Sequence, residues 1–451
     1  MNAVGDQPGS RDGLLSGFAE GDNASGRVHR QWSAASLSEA ASGTQTRRSF
    51  DRMWEALRLV GRDPWTRGYH RFAWTREDHT LREWFASECA ARGLEVVEDR
   101  AGNQWAWWGD PDSAPGLVLG SHLDSVANGG AFDGPLGVVS ALAALDTLRD
   151  NAFKPSMPVG LVNFADEEGA RFGVACAGSR ILTGVLTPDR ARALTDADGI
   201  TMAEAWTTAG RDPATLGPDP EALRRVTAYV ELHVEQGLAL ALDPDDEPDL
   251  TDPTRSVAIG TEIWPHGRWQ IDLRGEANHA GTTRLEDRND AMLQFAGVVA
   301  AARVAAREQG CLATVGKVVA RPNAVNAIAE TVTTWLDARG ADADAVHRVV
   351  DAIREEIDLD GGTVNEVSWT PATPFDAALR DRLAQLLPDA PLLATGAGHD
   401  AGILANAGIP TAMLFVRNPT GISHAPAEFA EPDDCYRGVS ALAAVVAELA
   451  G

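Results

Sequence analysis

Apolar positions change rhythm several times along the first half of the chain, and each change predicts an element. The helical pattern starts near Phe50. Over 78–92 the apolar residues Leu81, Trp84, Phe85 and Cys89 fall at the 3–4 spacing of a helix that buries one face. Gly93 supplies its stop, because glycine accepts the left-handed conformation of a helix end. A short strand over 94–97, a turn at 101–103 and a strand over 104–108 follow. The runs 116–120 and 158–164 are continuously apolar, as expected of strands buried on both faces, and a helix over 137–149 supplies the crossover. This alternation reads as an α/β sheet whose ligands gather beyond the carboxyl ends of its strands.

The rhythm differs over 262–370. A strand over 268–274 precedes a helix over 290–308 with an Ala/Val-rich face. Strands over 313–319 and 331–338, a helix over 343–357 and a strand over 363–369 complete a βαββαβ order, the ferredoxin-like split βαβ pattern. The larger sheet resumes at 410–416. The chain therefore divides into a larger domain of 46–261 and 371–451 and an inserted domain of 262–370. An exposed edge of the small sheet would be covered by pairing with a second copy, which predicts a homodimer through this domain. Residues 184–225 read as an extra helical insertion opened by Thr187-Pro188, and 243–252 as an acidic, Pro-rich loop.

At 451 residues the chain is long enough for two domains. A formal charge of -26 argues against nucleic acid or an anionic membrane as partner. The four cysteines, 89, 176, 311 and 435, form no CxxC pair and suit reduced thiols in a cytoplasm. No apolar run approaches the ~18 residues needed to span a bilayer. Residues 1–45, rich in Gly, Ser, Ala, Asp and Asn, lack an apolar core and read as a disordered tail rather than a signal peptide.

Chemistry enters where strand-like runs end. They close on Gly-Ser-His122-Leu-Asp124, Phe132-Asp133-Gly134, Ala165-Asp166-Glu167-Glu168-Gly169 and Glu231-Leu-His233-Val-Glu235-Gln236-Gly237, and Gly421-Ile-Ser-His424 lies near the C-terminus. Each taken singly has an ordinary explanation. A His-x-Asp triplet suits a structural pair, Asp133 a turn, and His424 a surface loop. Three adjacent carboxylates leaving an apolar run are harder to place, because they repel one another unless a cation or a helix N-terminus is present. Jointly, carboxylates and three imidazoles suffice for two divalent metals sharing a carboxylate, the arrangement that activates water for hydrolysis. Asp124 shares a strand face with His122 and can orient its ring.

The same stretches, with Asn-His279-Ala-Gly-Thr-Thr and Gly-Ala-Gly-His399-Asp-Ala, resemble the amidase/hydantoinase/carbamoylase group of the dinuclear metallopeptidase superfamily over roughly residues 50–450. Its members include allantoate amidohydrolases, N-carbamoyl-L-amino acid hydrolases and β-ureidopropionases. The dipeptidase and carboxypeptidase branches look different at the third ligand, carrying a carboxylate where this chain has His233. The resemblance implies a dinuclear-metal aminopeptidase-like catalytic domain with an inserted ferredoxin-like dimerisation and lid domain. It implies that His122, Asp133 and His233 hold one ion, and that the bridging Asp133 holds the other with Glu168 and His424. Manganese or zinc is expected, with cobalt or nickel also suitable. It makes Glu167 the base, supported by Asp124. His279 would reach the partner subunit's site, and Gln236, Asn326, Arg339 and His399 would bind a small ureido carboxylate. Arg284 and Ala329 stand where proline is common in the group, and 243–252 is an added loop. The expected reaction is cleavage of a ureido C–N bond. Allantoate is favoured because the segments Trp105-Ala-Trp-Trp-Gly-Asp-Pro and Ile263-Trp-Pro-His-Gly-Arg-Trp269 look like those of its hydrolases. The alternatives are N-carbamoyl-L-amino acids, β-ureidopropionate, a peptidase or aminoacylase, and a non-catalytic ureide-binding protein.

Overall fold

The computed structural model describes residues 44–242, 245, 247–357 and 361–451. Of the expected tail, 1–43 lie outside the described residues, as do 243, 244 and 246 of the acidic loop; residues 44 and 45 instead open the helix Thr44–Leu57. In chain order the strands are β1 (Val96–Glu98), β2 (Gln104–Trp108), β3 (Gly116–His122), β4 (Val159–Phe164), β5 (Val226–Val234), β6 (Val257–Ile263), β7 (His266–Arg274), β8 (Leu312–Arg321), β9 (Thr331–Arg339), β10 (Thr363–Thr370), β11 (Thr373–Pro374), β12 (Leu392–Thr395) and β13 (Thr411–Val416).

The larger sheet runs β1-β2-β4-β3-β5-β13-β6-β11, with β12 beside β6. Its centre is parallel: β3 pairs with β4 and β5, and β5 with β13. Leu119 faces Leu161 on one side and Val230 on the other, and Leu414 faces Leu232. Every residue of β3, β4 and β13 is buried, which is why these runs are apolar without alternation. Parallel strands carry their carboxyl ends to one edge. His122, the turn after Phe164, His233 and the loop after Val416 thus meet, although they are far apart in sequence.

Helix Pro135–Asp150 crosses between β3 and β4, starting and ending close to the sequence expectation. It is wedged between the sheet and helices Thr44–Leu57 and Pro432–Leu449. The last of these has no counterpart in the sequence reading. Its residues Val439 to Val446 are all buried, so the sequence there carries no polar face to mark a 3.6-residue period. The 184–225 insertion forms three short helices, Pro188–Ala193, Met202–Thr208 and Pro220–Arg224. Thr187 makes no side-chain cap on the first, whereas Thr201 and Glu204 form a full capping box on the second.

Between β6 and β11 the elements run β7, helix Ala291–Gln309, β8, β9, helix Ala343–Ile357, β10, giving an antiparallel sheet of order β10-β7-β9-β8. Trp269, Ile271, Leu336, Val346, Val350 and Ile353 form its own core. That core is separate from the one built on Trp105, Val118, Phe164, Tyr229 and Phe415. β8 lies at the sheet edge with Leu312 59% and Val318 49% exposed.

Candidate metal centre

The His122 ring at the end of β3 is buried, and it occupies space that only glycine leaves. Gly134 has φ +85°, and a Cβ there would lie 2.4–2.6 Å from three His122 ring atoms. His122 Nδ1 faces the Asp124 carbonyl at 3.3 Å and Asp124 Oδ1 at 3.4 Å, while His233 Nδ1 donates to the Val234 carbonyl at 2.9 Å. In the neutral form of both rings, the form that binds a metal, this leaves the Nε2 lone pair free. Both Nε2 atoms are buried without a hydrogen-bond partner. They aim at one atom, Asp133 Oδ1, at 3.6 Å from His122 and 3.1 Å from His233. An orphaned buried polar atom costs about 1–3 kcal/mol. Two of them converging on one carboxylate oxygen fit a cation held between the three.

The second Asp133 oxygen looks the other way. Oδ2 lies 3.3 Å from His424 Nε2, which is itself 3.5 Å from Glu168 Oε2. Two groups, His122/Asp133/His233 and Asp133/Glu168/His424, each bring their donor atoms close enough to share an ion. Asp133 belongs to both. A third grouping, Glu231/His233/His399, reuses His233, but both Glu231 oxygens already accept hydrogen bonds, from Ser121 Oγ and Ala401 N.

The supports are built from the same ends. Asp166 and His424 both carry left-handed backbone, φ +54° and +55°, an uncommon conformation that accumulates at functional turns. Asp124 accepts from Glu167 N at 3.1 Å and Glu168 N at 3.0 Å, so the residue that faces the His122 ring also holds the acidic turn. Glu167 Oε2 lies 3.8 Å from His122 Nε2. Gln236 Nε2 donates to Asp133 Oδ2 at 2.7 Å.

Electrostatics follow from packing these groups out of water. Burial would push the His122 ring down, yet Glu167, Asp124 and Asp133 hold it well above its ordinary value. Burial would raise Asp133, but His233, His122 and His424 hold it well below the usual carboxylate range. Burial pushes Glu167 well up, and it raises Glu168 to about 7 with help from Asp133. His424 rises to about 9, chiefly through its bond to Asp133. Such a surplus of buried carboxylate suits a site that binds cations.

Other anticipated residues sit at different distances from this cluster. The His399 ring is buried with its centroid 4.5 Å from that of His233, and burial, then His233, holds it well below its ordinary value. Arg339 donates to Asp337 Oδ1 and to the Gly396 carbonyl at 2.7 Å, just after β12 and three residues before His399. His279 and Asn326 are exposed, and their segments bond each other through Ala280 N and Asn326 O. Within one chain these two are not brought to Asp133.

Glu428 was not anticipated. Its Oε1 accepts from Phe132 N at 2.7 Å and Asp133 N at 2.9 Å, and its Oε2 from Ser423 Oγ at 3.0 Å. It thereby ties the loop of Asp133 to the loop of His424. The signal was present in Ser-His424-Ala-Pro-Ala-Glu428, where the carboxylate follows the histidine by four residues.

Comparison with known proteins gives the family. The model of Peptidase family M20/M25/M40 matches residues 118–448. The chain is 35% identical over 419 residues to the N-carbamoyl-L-amino acid amidohydrolase of Geobacillus stearothermophilus, covering 89% of this chain and 98% of that protein. It is 32% identical over 422 residues to the allantoate amidohydrolase of Escherichia coli (strain K12), covering 90% and 99%. The crystal structure of an amidase of the hydantoinase/carbamoylase family from Burkholderia vietnamiensis matches with a TM-score of 0.77 at 28% identity, over 90% of this chain and 98% of that one.

Proposed function

The chain belongs to Peptidase family M20/M25/M40, and from that premise we propose a two-metal amidohydrolase that cleaves a ureido C–N bond in a small carboxylate-bearing substrate. The observation that carries this reading is Asp133, whose two oxygens face two different sets of ligands beside the carboxylate of Glu167.

In this reading His122, Asp133 and His233 would hold one ion, and Asp133, Glu168 and His424 would hold a second. Manganese or zinc suits these oxygen and imidazole donors, as would cobalt or nickel. Two divalent ions held there supply Lewis acidity toward the ureido carbonyl and toward water. Glu167 accepts the proton of the attacking water and delivers it to the departing nitrogen, so one carboxylate serves both half-steps. Its buried setting, which raises its proton affinity, suits that return delivery. Asp124 fixes the His122 ring and the acidic turn together. Gln236 and His399 line the approach to the ureido group, and the planar fork of Arg339 suits the substrate carboxylate.

The division into a catalytic part (46–261 and 371–451) and an inserted ferredoxin-like part (262–370) belongs to the same reading. The exposed β8 edge supports dimerisation through the inserted part. Dimerisation would let the exposed His279 and Asn326 serve a partner's site. No helix among the described residues is long and apolar enough to cross a membrane. The four cysteines are free and buried, in keeping with a reducing cytoplasm.

Allantoate is the proposed substrate, giving ureidoglycine, ammonia and carbon dioxide. An N-carbamoyl-L-amino acid is the second reading, favoured by the 35% identity to such an amidohydrolase. Ammonia release by metal-reconstituted protein, compared across allantoate, N-carbamoyl-L-amino acids and β-ureidopropionate, decides between them. Faster cleavage of dipeptides or N-acyl amino acids would overturn the ureido assignment.

A further inference from the structure

Beyond Glu168 the chain loops out and returns at Cys176, which starts helix Ala177–Leu182 with left-handed backbone, φ +53°. That turn aims three successive N–H groups back at the acidic segment. Cys176 N donates to the Glu167 carbonyl, Ala177 N to the Asp166 carbonyl at 2.9 Å, and Gly178 N to the Ala165 carbonyl at 2.9 Å. The approach is close enough to require glycine. A Cβ on Gly178 would lie 2.4 Å from the Ala165 carbonyl oxygen and 2.3 Å from Asn103 Oδ1.

The same turn lays the Cys176 thiol against the carboxylate of Glu167, with Sγ 3.4 Å from Oε1. Among the described residues this thiol is the one hydrogen-bond donor to that carboxylate. The other oxygen, Oε2, is the one that faces His122. Burial, then the neighbouring Glu167, pushes the thiol well above its ordinary value, so the sulfur keeps its proton and donates. The terminal torsion of a glutamate is broad and nearly two-fold, so an untethered carboxylate samples many orientations about it.

We propose that Cys176 is a positioning residue for Glu167: its thiol fixes Oε1, so that Oε2 is presented to the attacking water and the leaving nitrogen. The inference rests on the reading of Glu167 as the base. It predicts a device in which Asp124 holds the backbone of the acidic turn from one side and Cys176 holds both backbone and carboxylate from the other. Among the described residues the Cys176 thiol is hydrogen-bonded to Glu167 and to none of the five proposed metal ligands, so its removal should lower turnover without weakening substrate binding.

The test uses the full-length, metal-loaded protein. Cys176→Ala should reduce kcat about tenfold, the equivalent of one ordinary hydrogen bond as suits a weak thiol donor, with KM within about twofold. Metal content should equal that of the parent. Cys176→Ser, which restores a donor, should recover most of the loss. Infrared spectroscopy reads the contact itself: the S–H stretch assigned by the Cys176→Ala difference should lie at lower frequency in the parent than in Glu167→Ala. Unchanged kcat in Cys176→Ala, a serine variant as slow as the alanine variant, or an S–H band indifferent to Glu167 would each overturn the proposal. Glu167→Gln separates the two levels. If it turns over normally, the base assignment itself fails. If it is inactive while Cys176→Ala is unimpaired, only the positioning role falls.

Discussion

Replacing Glu428 by alanine tests whether the metal centre is held together from behind. The Glu428 carboxylate is buried and receives three hydrogen bonds, from Phe132 N, Asp133 N and Ser423 Oγ at 2.7, 2.9 and 3.0 Å. Ser423 Oγ also lies 3.1 Å from Asp133 Oδ2 and keeps that partner. The two backbone N–H groups lose theirs. At about 1–3 kcal/mol for each buried orphan, the loops bearing Asp133 and His424 are destabilised by about 2–6 kcal/mol in their present geometry. Loss of such an outer support typically weakens metal affinity about 10- to 100-fold. Glu428→Gln should behave differently, because its amide oxygen can still accept both N–H groups while its NH2 donates to Ser423. Chelator competition, read by metal analysis of the recovered protein, measures the affinity. Glu428→Ala should give up metal at about 10- to 100-fold lower chelator excess and Glu428→Gln at nearly the parent level. Parent-like retention by Glu428→Ala would show that the loops do not depend on this carboxylate.

Gly134→Ala should displace the His122 ring, because the new Cβ would lie within 2.6 Å of it and φ is +85°. Metal analysis should find the content falling from two ions per chain toward one. Asp434→Ala strands Arg417, whose buried ion pair with Asp434 is 5% and 4% exposed. Urea unfolding should show a loss of about 3–5 kcal/mol, and the apolar pair Arg417→Met with Asp434→Leu should lose far less. Glu88 bridges Arg52 and Arg92, and its bond to Arg52, then that to Arg92, holds it below the usual range against partial burial. A lowered folded value means its stabilisation is present above the unfolded pKa, about 4.3, and is lost as pH falls through the folded value. The stability gap between parent and Glu88→Gln should therefore be widest near neutrality and close below about pH 4.

Much of this arrangement was legible before any coordinates, for an identifiable reason. Strands buried on both faces show as unbroken apolar runs, and their carboxyl ends are where polar groups must surface, so His122, Glu168 and His233 stood out by contrast. Asp133, in the turn before helix Pro135–Asp150, owed its role to the family resemblance. His424 drew attention because its Gly-Ile-Ser-His motif follows a predicted strand. The helix Pro432–Leu449 gave no contrast, being buried on nearly every side. β12 is four residues long and β11 two, too short for any period to show. Glu428 was missed because its importance lies in two N–H groups almost three hundred residues away. Cys176 was read only as a reduced thiol, since nothing local reveals that its turn folds back onto Glu167. In the proposed dimer His279 and Asn326 would serve a partner's site, which the apolar pattern of a single chain does not encode.

The central claim is that five side chains embrace two ions with one aspartate between them. Crystals of manganese-reconstituted protein, with anomalous scattering recorded at the manganese edge, test it most directly. Two peaks per chain are expected, one beside His122 and His233 and the other beside Glu168 and His424, with Asp133 contacting both. A single peak, or two peaks that do not share Asp133, would contradict it.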